Sequence, residues 1–183
     1  MSSSKYYLVH SVVEPTTEKI MKILEDGYLY ASSYTGQQGI YEIPLDYVYF
    51  TLLGDVNVSM GGFKFILNTK ILHKRSFRYA LSWVGENIEK TTKINYRYDD
   101  VDKVLDKINS CIVDKYNSNK YVLCTHEILL KKKVSLHRYL IAVSDADDLT
   151  PEILDYLKFN YPNVKVLTEL PESADELNKI IEK

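Results

Sequence analysis

The sequence predicts an α+β fold, a mostly antiparallel sheet with helices packed on its faces, and three observations carry that prediction. Strand-like runs recur at residues 5–13, 47–53 and 63–72, rich in aromatic and β-branched side chains. Two segments, opening at Pro15 and Asp99, hold apolar residues at helical spacing. The 183 residues, 45% of them hydrophobic, suit one compact domain with a core large enough to sustain a concave site.

KYYLVHSVV at 5–13 alternates Tyr6, Leu8, His10 and Val12 against Tyr7, Val9, Ser11 and Val13. Both sets are largely apolar, so this strand is expected at the centre of the sheet. Pro15 with Thr16 and Thr17 opens a helix striped by Ile20, Met21, Ile23 and Leu24, and Gly27 closes it. A short extended piece, YLYASS, follows. Residues 34–46 hold two glycines and Pro44 and read as a loop with at most a brief strand around Ile40. YVYFTLL and FKFILNTKIL read as strands joined by a segment ending in Gly61 and Gly62.

No clean period survives over 73–98, which therefore reads as loop with at most a short helix. From Asp99 a helix runs to about Tyr116, with Val101, Val104, Leu105, Ile108, Cys111 and Ile112 on one stripe and acids at its start. YVLCTHEILL at 121–130 reads as a strand, Lys131 to Lys133 as a hairpin turn, and Val134 to Val143 as a further strand. Thr150 and Pro151 open another helix, Val164 to Leu167 form a short strand, and Ser173 to Glu176 supply the capping box of a final helix.

Within the 121–130 strand, Glu127 shares a face with Tyr121, Leu123, Thr125 and Leu129, while Cys124, His126 and Ile128 point the other way. A carboxylate among apolar neighbours calls for a partner or a task; the competing reading is an acid on the solvated side of an edge strand.

The formal net charge of -2, evenly spread, argues against a dominant nucleic-acid-binding surface. Cys111 and Cys124 have no metal-ligand or disulfide spacing, and His73, His126 and His137 make no metal-ligand set, so no metal is expected. No signal peptide or membrane span is recognisable, and an intracellular, cytoplasmic protein with no membrane partner is expected. Neither GxGxxG nor GxxxxGK[ST] occurs, and there is no nucleophile elbow. The sixteen tyrosines and the Lys, Asn and Ile usage fit an AT-rich genome such as that of a parasite, phage or large virus.

A strand with His10, a helix closed by Gly27, the YVYF strand, a late strand with Glu127 and the trailing V-x-L-x-x-Y-L at 134–140 together resemble the ADP-ribosyltransferase superfamily. The layout over residues 6–143 is most similar to its His-Tyr-Glu branch, which includes the poly(ADP-ribose) polymerases and diphtheria toxin. The resemblance implies a split sheet with NAD as co-substrate. It also implies that His10 and Ser11 hold the cofactor, that an aromatic residue stacks on nicotinamide, and that Glu127 bonds the nicotinamide ribose 2'-hydroxyl. Tyr49 and Tyr41, the latter after Gly39 and Ile40, are rivals for the stacking role. Tyr28 and Ser32, with Ser33, are candidates for the adenosine side.

These residue types suit the chemistry on their own terms. A carboxylate stabilises an oxocarbenium-like ribose, an aromatic ring stacks on a flat base, and an imidazole donates to a ribose hydroxyl or a diphosphate oxygen. Against each stands a plainer reading: His10 as a satisfied core histidine, Tyr49 as one aromatic strand residue among many, and Lys131 to Lys133 as a solvated turn. The basic run His73, Lys74, Arg75 and Arg78, interleaved with Phe77, Tyr79 and Trp83, reads equally as a diphosphate or nucleic-acid contact and as a surface loop. A first-strand Arg and a Ser-Thr-Ser strand are missing, and Thr125 stands two residues before Glu127, so arginine is not the favoured acceptor. The expected activity is mono-ADP-ribosyl transfer to an acceptor left open between protein, nucleic acid and small molecule. The alternatives are a catalytically silent nucleotide-binding or protein-interaction module on the same fold, and an RNA 2'-phosphotransferase-like enzyme.

Overall fold

The computed structural model describes residues 3–12, 14–31, 46–82, 88–119, 126–145 and 149–183. The strands are β1 (Tyr7–Val12), β2 (Tyr28–Tyr30), β3 (Tyr47–Leu53), β4 (Phe63–Asn68), β5 (Phe77–Ala80), β6 (Thr92–Ile94), β7 (Glu127–Lys131), β8 (Lys133–Ser135), β9 (Leu140–Ser144) and β10 (Lys165–Leu167). The α-helices are α1 (Thr17–Asp26), α2 (Val101–Ser118), the single turn α3 (Leu136–Tyr139), α4 (Pro151–Asn160) and α5 (Ala174–Ile181). Eight strands form one sheet in the order β10-β9-β4-β1-β3-β7-β5-β6, and β2 pairs with β8 in a separate ribbon. Every pairing is antiparallel except β10 with β9. This is the α+β class expected, with β1 central because both of its faces bury apolar side chains.

The helix limits follow from their caps. Thr16 accepts a hydrogen bond from the Lys19 N–H and Gly27 sits in the left-handed region at φ 74°, so α1 starts and stops where its sequence dictates. Asp100 caps α2, Thr150 caps α4 with Pro151 in the first turn, and Ser173 caps α5.

Each face of the sheet has its own core. One buries Leu8, Phe50, Leu52, Phe65 and Ile128 beneath α1, α2 and α4. The other buries Tyr7, Val9, Leu53, Ile66 and Ala142 against Ala174 and Leu177 of α5. Asn178 of α5 accepts hydrogen bonds from the Ser4 N–H (3.3 Å) and the Tyr7 hydroxyl (2.5 Å), tying the last helix to the first strand.

Four expectations about elements are corrected. The run 63–72 is strand only to Asn68, whose side chain accepts from the Lys70 N–H and turns Thr69–His73 into a 3-10 helix. Residues 73–98, of which 83–87 lie outside the described residues, hold the expected short helix as a 3-10 turn at Ile88–Lys90, but also two unexpected strands, since β5 and β6 form an antiparallel pair at the sheet edge. Lys131 to Lys133 do not make a hairpin, because Lys132 at φ 72° redirects the chain and β8 pairs with β2 instead of β7. Nor is 134–143 one strand; the Ser135 hydroxyl caps α3 between β8 and β9.

Candidate functional site

β3 is shared between two halves of the sheet. Its C-terminal residues Thr51, Leu52 and Leu53 pair with Val9, Leu8 and Tyr7 of β1, whereas Tyr47 to Phe50 pair with Lys131 to Ile128 of β7. The ladder between β1 and β3 thus stops at Val9 and Thr51, although β1 continues against β4 as far as Val12. Beyond that point the His10 Nδ1–H donates to the Tyr49 carbonyl at 2.7 Å, a side-chain bond where a backbone ladder would otherwise run. The opening between the halves is therefore bordered by His10 and Ser11 on one strand and by Tyr49 and Phe50 on the other.

Strand alternation sorts these side chains. Tyr49 pairs with Leu129, Leu129 with Arg78, and Glu127 with Ala80, which places Tyr49, Arg78 and Glu127 on one face. Ser11, two residues beyond Val9, belongs to that face as well. His10 lies on the other face, opposite Phe65 and edge-on to Phe50 with ring centroids 5.7 Å apart. The structure thus brings Glu127, Tyr49 and Ser11 to one side and sets His10 in the seam behind them.

The electrostatics follow from burial. Half-burial pushes the Tyr49 phenol well above the usual tyrosine range, and the Glu127 carboxylate, then Tyr47, push it further. Tyr49 is a neutral, apolar-bodied ring beside a carboxylate. Burial lowers the His10 pKa, partly offset by the bond to Tyr49. Because a carbonyl only accepts, His10 carries its proton on Nδ1, leaving Nε2 as an acceptor. A neutral His10 has therefore no second proton to donate, and its ring lies on the face opposite Tyr49 and Glu127.

His126, missed as a site residue, precedes Glu127 and is 1% exposed. Its Nε2 accepts the Leu52 N–H at 2.7 Å, carrying the β3–β7 association two register positions past the backbone ladder and anchoring the entry to Glu127. Burial, followed by the Lys115 charge, depresses its pKa to about 3. Its signal in the sequence was the alternation that turned it away from Glu127 and into the core.

The remaining candidates are dispersed. Tyr28 lies on the ribbon, its ring 5.8 Å from Tyr30 and under the Lys133 ammonium at 4.4 Å. Ser32 and Tyr41, with Ser33, Trp83, Cys124 and Thr125, lie outside the described residues. In the basic run, His73 pairs with Asp102 at 3.3 Å, Lys74 is exposed, Arg75 donates to the Lys131 and Lys133 carbonyls, Arg78 donates to Thr91, and Phe77 and Tyr79 are buried. No cluster of three or more His, Cys, Asp or Glu side chains suited to a metal ion occurs among the described residues, and no helix there is long and apolar enough to cross a membrane.

An α+β chain whose antiparallel sheet parts beside a half-buried carboxylate and tyrosine is the class that fold and site define. The chain belongs to the family described as "Family of unknown function (DUF5846)", which it matches over residues 3–108. It is similar to two uncharacterized proteins of Acanthamoeba polyphaga mimivirus. One is 69% identical over 181 residues, covering 98% of this chain and all of the relative. The other is 94% identical over 102 residues, covering 56% of this chain and 98% of the relative. No solved structure matches.

Proposed function

We propose that the protein is an NAD-dependent mono-ADP-ribosyltransferase whose reacting centre lies at the parting of β1 and β3. The observation that carries this reading is the shared face of Tyr49 and Glu127, with the carboxylate near enough to act on the phenol. A flat, neutral ring next to a carboxylate suits a ligand that joins a planar base to a ribose developing positive charge.

In this reaction the bond between nicotinamide and ribose C1' breaks, and its electron pair leaves with nicotinamide. Glu127 stabilises the resulting oxocarbenium-like ribose and orients its 2'-hydroxyl, and the acceptor nucleophile closes a new bond to C1' as it loses its proton. Tyr49 stacks on the leaving ring. His10 fixes the Tyr49 backbone through its Nδ1–H from the opposite face of the sheet, and Ser11 borders the parting on the Tyr49 side.

The test is nicotinamide release from NAD by the protein and its Glu127→Ala and Glu127→Gln variants, with cell lysate as a source of acceptors. A loss on the order of 10²–10³-fold in both variants, with NAD binding retained, is the expected result for a residue acting on transition-state charge. A second reading is favoured by the internal use of the His10 proton: a silent version of the fold that binds a nucleotide. NAD binding without nicotinamide release, with or without lysate, would select it.

A further inference from the structure

The near-neutral total of this chain conceals a local segregation of charge. Residues 56–85 and 128–144 hold nine of the 23 Lys and Arg residues and none of the 25 Asp and Glu residues, so the surface where the two segments meet is cationic. They meet at Arg75. The Lys132 carbonyl faces β2, where it accepts the Ala31 N–H at 2.7 Å, and the Lys131 and Lys133 carbonyls face the other way, where both accept from the Arg75 guanidinium. Lys74, Lys131, Lys132 and Lys133 are thereby gathered along one edge of the β2–β8 ribbon, all of them exposed and none in an ion pair among the described residues.

The other edge is aromatic. Tyr28 and Tyr30 share the outward face of the ribbon, because Leu29 between them and its partner Val134 are buried on the inward one. Their rings lie 5.8 Å apart, and Lys133, the register partner of Tyr30, sets its ammonium 4.4 Å from the centre of the Tyr28 ring. A cation–π contact at an exposed site is weak, so a flat base can displace it. Rings on one edge and ammonium groups free of ion pairs on the other are the two components of a single-strand platform, stacking for the bases and charge for the phosphates. Asp46, whose carbonyl accepts the Lys132 N–H, and Asp26, two residues before Tyr28, border the band and keep it local. A membrane surface is a poorer match, since among the described residues no large apolar side chain of the band is exposed for insertion.

We propose that the β2–β8 ribbon binds single-stranded nucleic acid, with bases stacked on Tyr28 and Tyr30 and phosphates along Lys74, Lys131, Lys132 and Lys133. The surface is independent of the transferase reading, since neither Tyr49 nor Glu127 contributes to it.

Fluorescence anisotropy of labelled oligouridylate and oligothymidylate, each of about 12 nucleotides at about 50 mM salt, tests the proposal. A duplex of the same length and sedimentation with phosphatidylserine–phosphatidylcholine vesicles are the competing arms. The expected result is binding of at least one single strand at least tenfold tighter than the duplex, and the tighter of the two strands identifies the preferred sugar. The logarithm of its affinity is expected to fall with the logarithm of salt concentration at a slope of about -3 for four phosphates, a readout that needs no substitution. Replacing Lys131, Lys132 and Lys133 together by Gln is expected to weaken binding at least tenfold and to flatten that slope by about 2. Tyr28→Leu is expected to weaken it at least fivefold, whereas Tyr28→Phe, which keeps the ring, binds as the parent does. No binding of either strand, a duplex bound as tightly as the single strands, binding of vesicles alone, or single-strand binding untouched by both the lysine variant and Tyr28→Leu would overturn the proposal. No NAD is present in this experiment, so its failure and the failure of the transferase reading remain distinct.

Discussion

His126 shows how one side chain can govern stability and position the candidate centre together. The imidazole is neutral in the folded protein down to about pH 3, whereas in the unfolded chain it gains a proton below its ordinary value of 6.5. The unfolded state therefore binds more protons as the pH falls, so stability is full above about pH 6.5 and drains away toward pH 3. Between pH 7 and pH 5 this single group is expected to cost about 2 kcal/mol. Denaturant unfolding at the two pH values checks it, with His126→Gln as the control because glutamine can accept the Leu52 N–H without titrating. An equal loss in parent and variant would remove His126 as the cause. The sequence flagged Glu127 through its apolar neighbours, but it gave no sign that the adjacent histidine would replace a backbone acceptor. That bond depends on where β3 and β7 end relative to one another, which is a property of two strands far apart in the chain. The direction of the His10 proton was hidden for the same reason, since it is set by the Tyr49 carbonyl across the opening.

At the scale of the element, legibility tracked local chemistry. α1 was readable because every decision about it is made within a few residues: Thr16 caps it, Ile20, Met21 and Leu24 bury one stripe, and Gly27 takes the left-handed terminus. Thr16→Ala is expected to remove the bond to the Lys19 N–H at a cost of about 1 kcal/mol, measured by chemical denaturation, while Thr16→Ser is expected to retain most of the stability. A Thr16→Ser protein as unstable as the alanine variant would mean that the threonine methyl, not the cap, carries the effect. Residues 131–143 were misread because the apolar run Leu136, Tyr139, Leu140, Ile141 and Val143 satisfies a strand pattern and a helical turn alike. What decides between them is the Ser135 cap and the pairing of β8 with β2, and the second of these joins residues more than a hundred positions apart. The β5–β6 edge was missed because its strands are only four and three residues long and carry Arg78 and Lys93 among their apolar residues.

The whole molecule is interleaved in a way that no local pattern announces. The family match covers residues 3–108, which contain β1 to β6, yet β5 reaches β3 only through β7. Without β7 the sheet falls into two pieces, leaving β3 with half of one edge unpaired and the short β5–β6 pair with no neighbour among the strands; a lone two-stranded pair is marginally stable in water. The second face of the sheet also depends on late sequence, because Tyr7, Val9 and Ile66 are covered by Ala174 and Leu177. A fragment of residues 1–119 is thus expected to lack cooperative unfolding and a near-ultraviolet circular dichroism signal. Mixing it with residues 120–183 is expected to restore both, since the second fragment carries β7 and α5. Cooperative unfolding of 1–119 alone would show that the β1–β4 half is self-sufficient and that β7 is an addition to it. The same experiment bears on the candidate site, because Tyr49 and Glu127 come from different fragments and share a face only when β7 docks on β3. Any ligand of that face should therefore bind the reconstituted protein and neither fragment by itself.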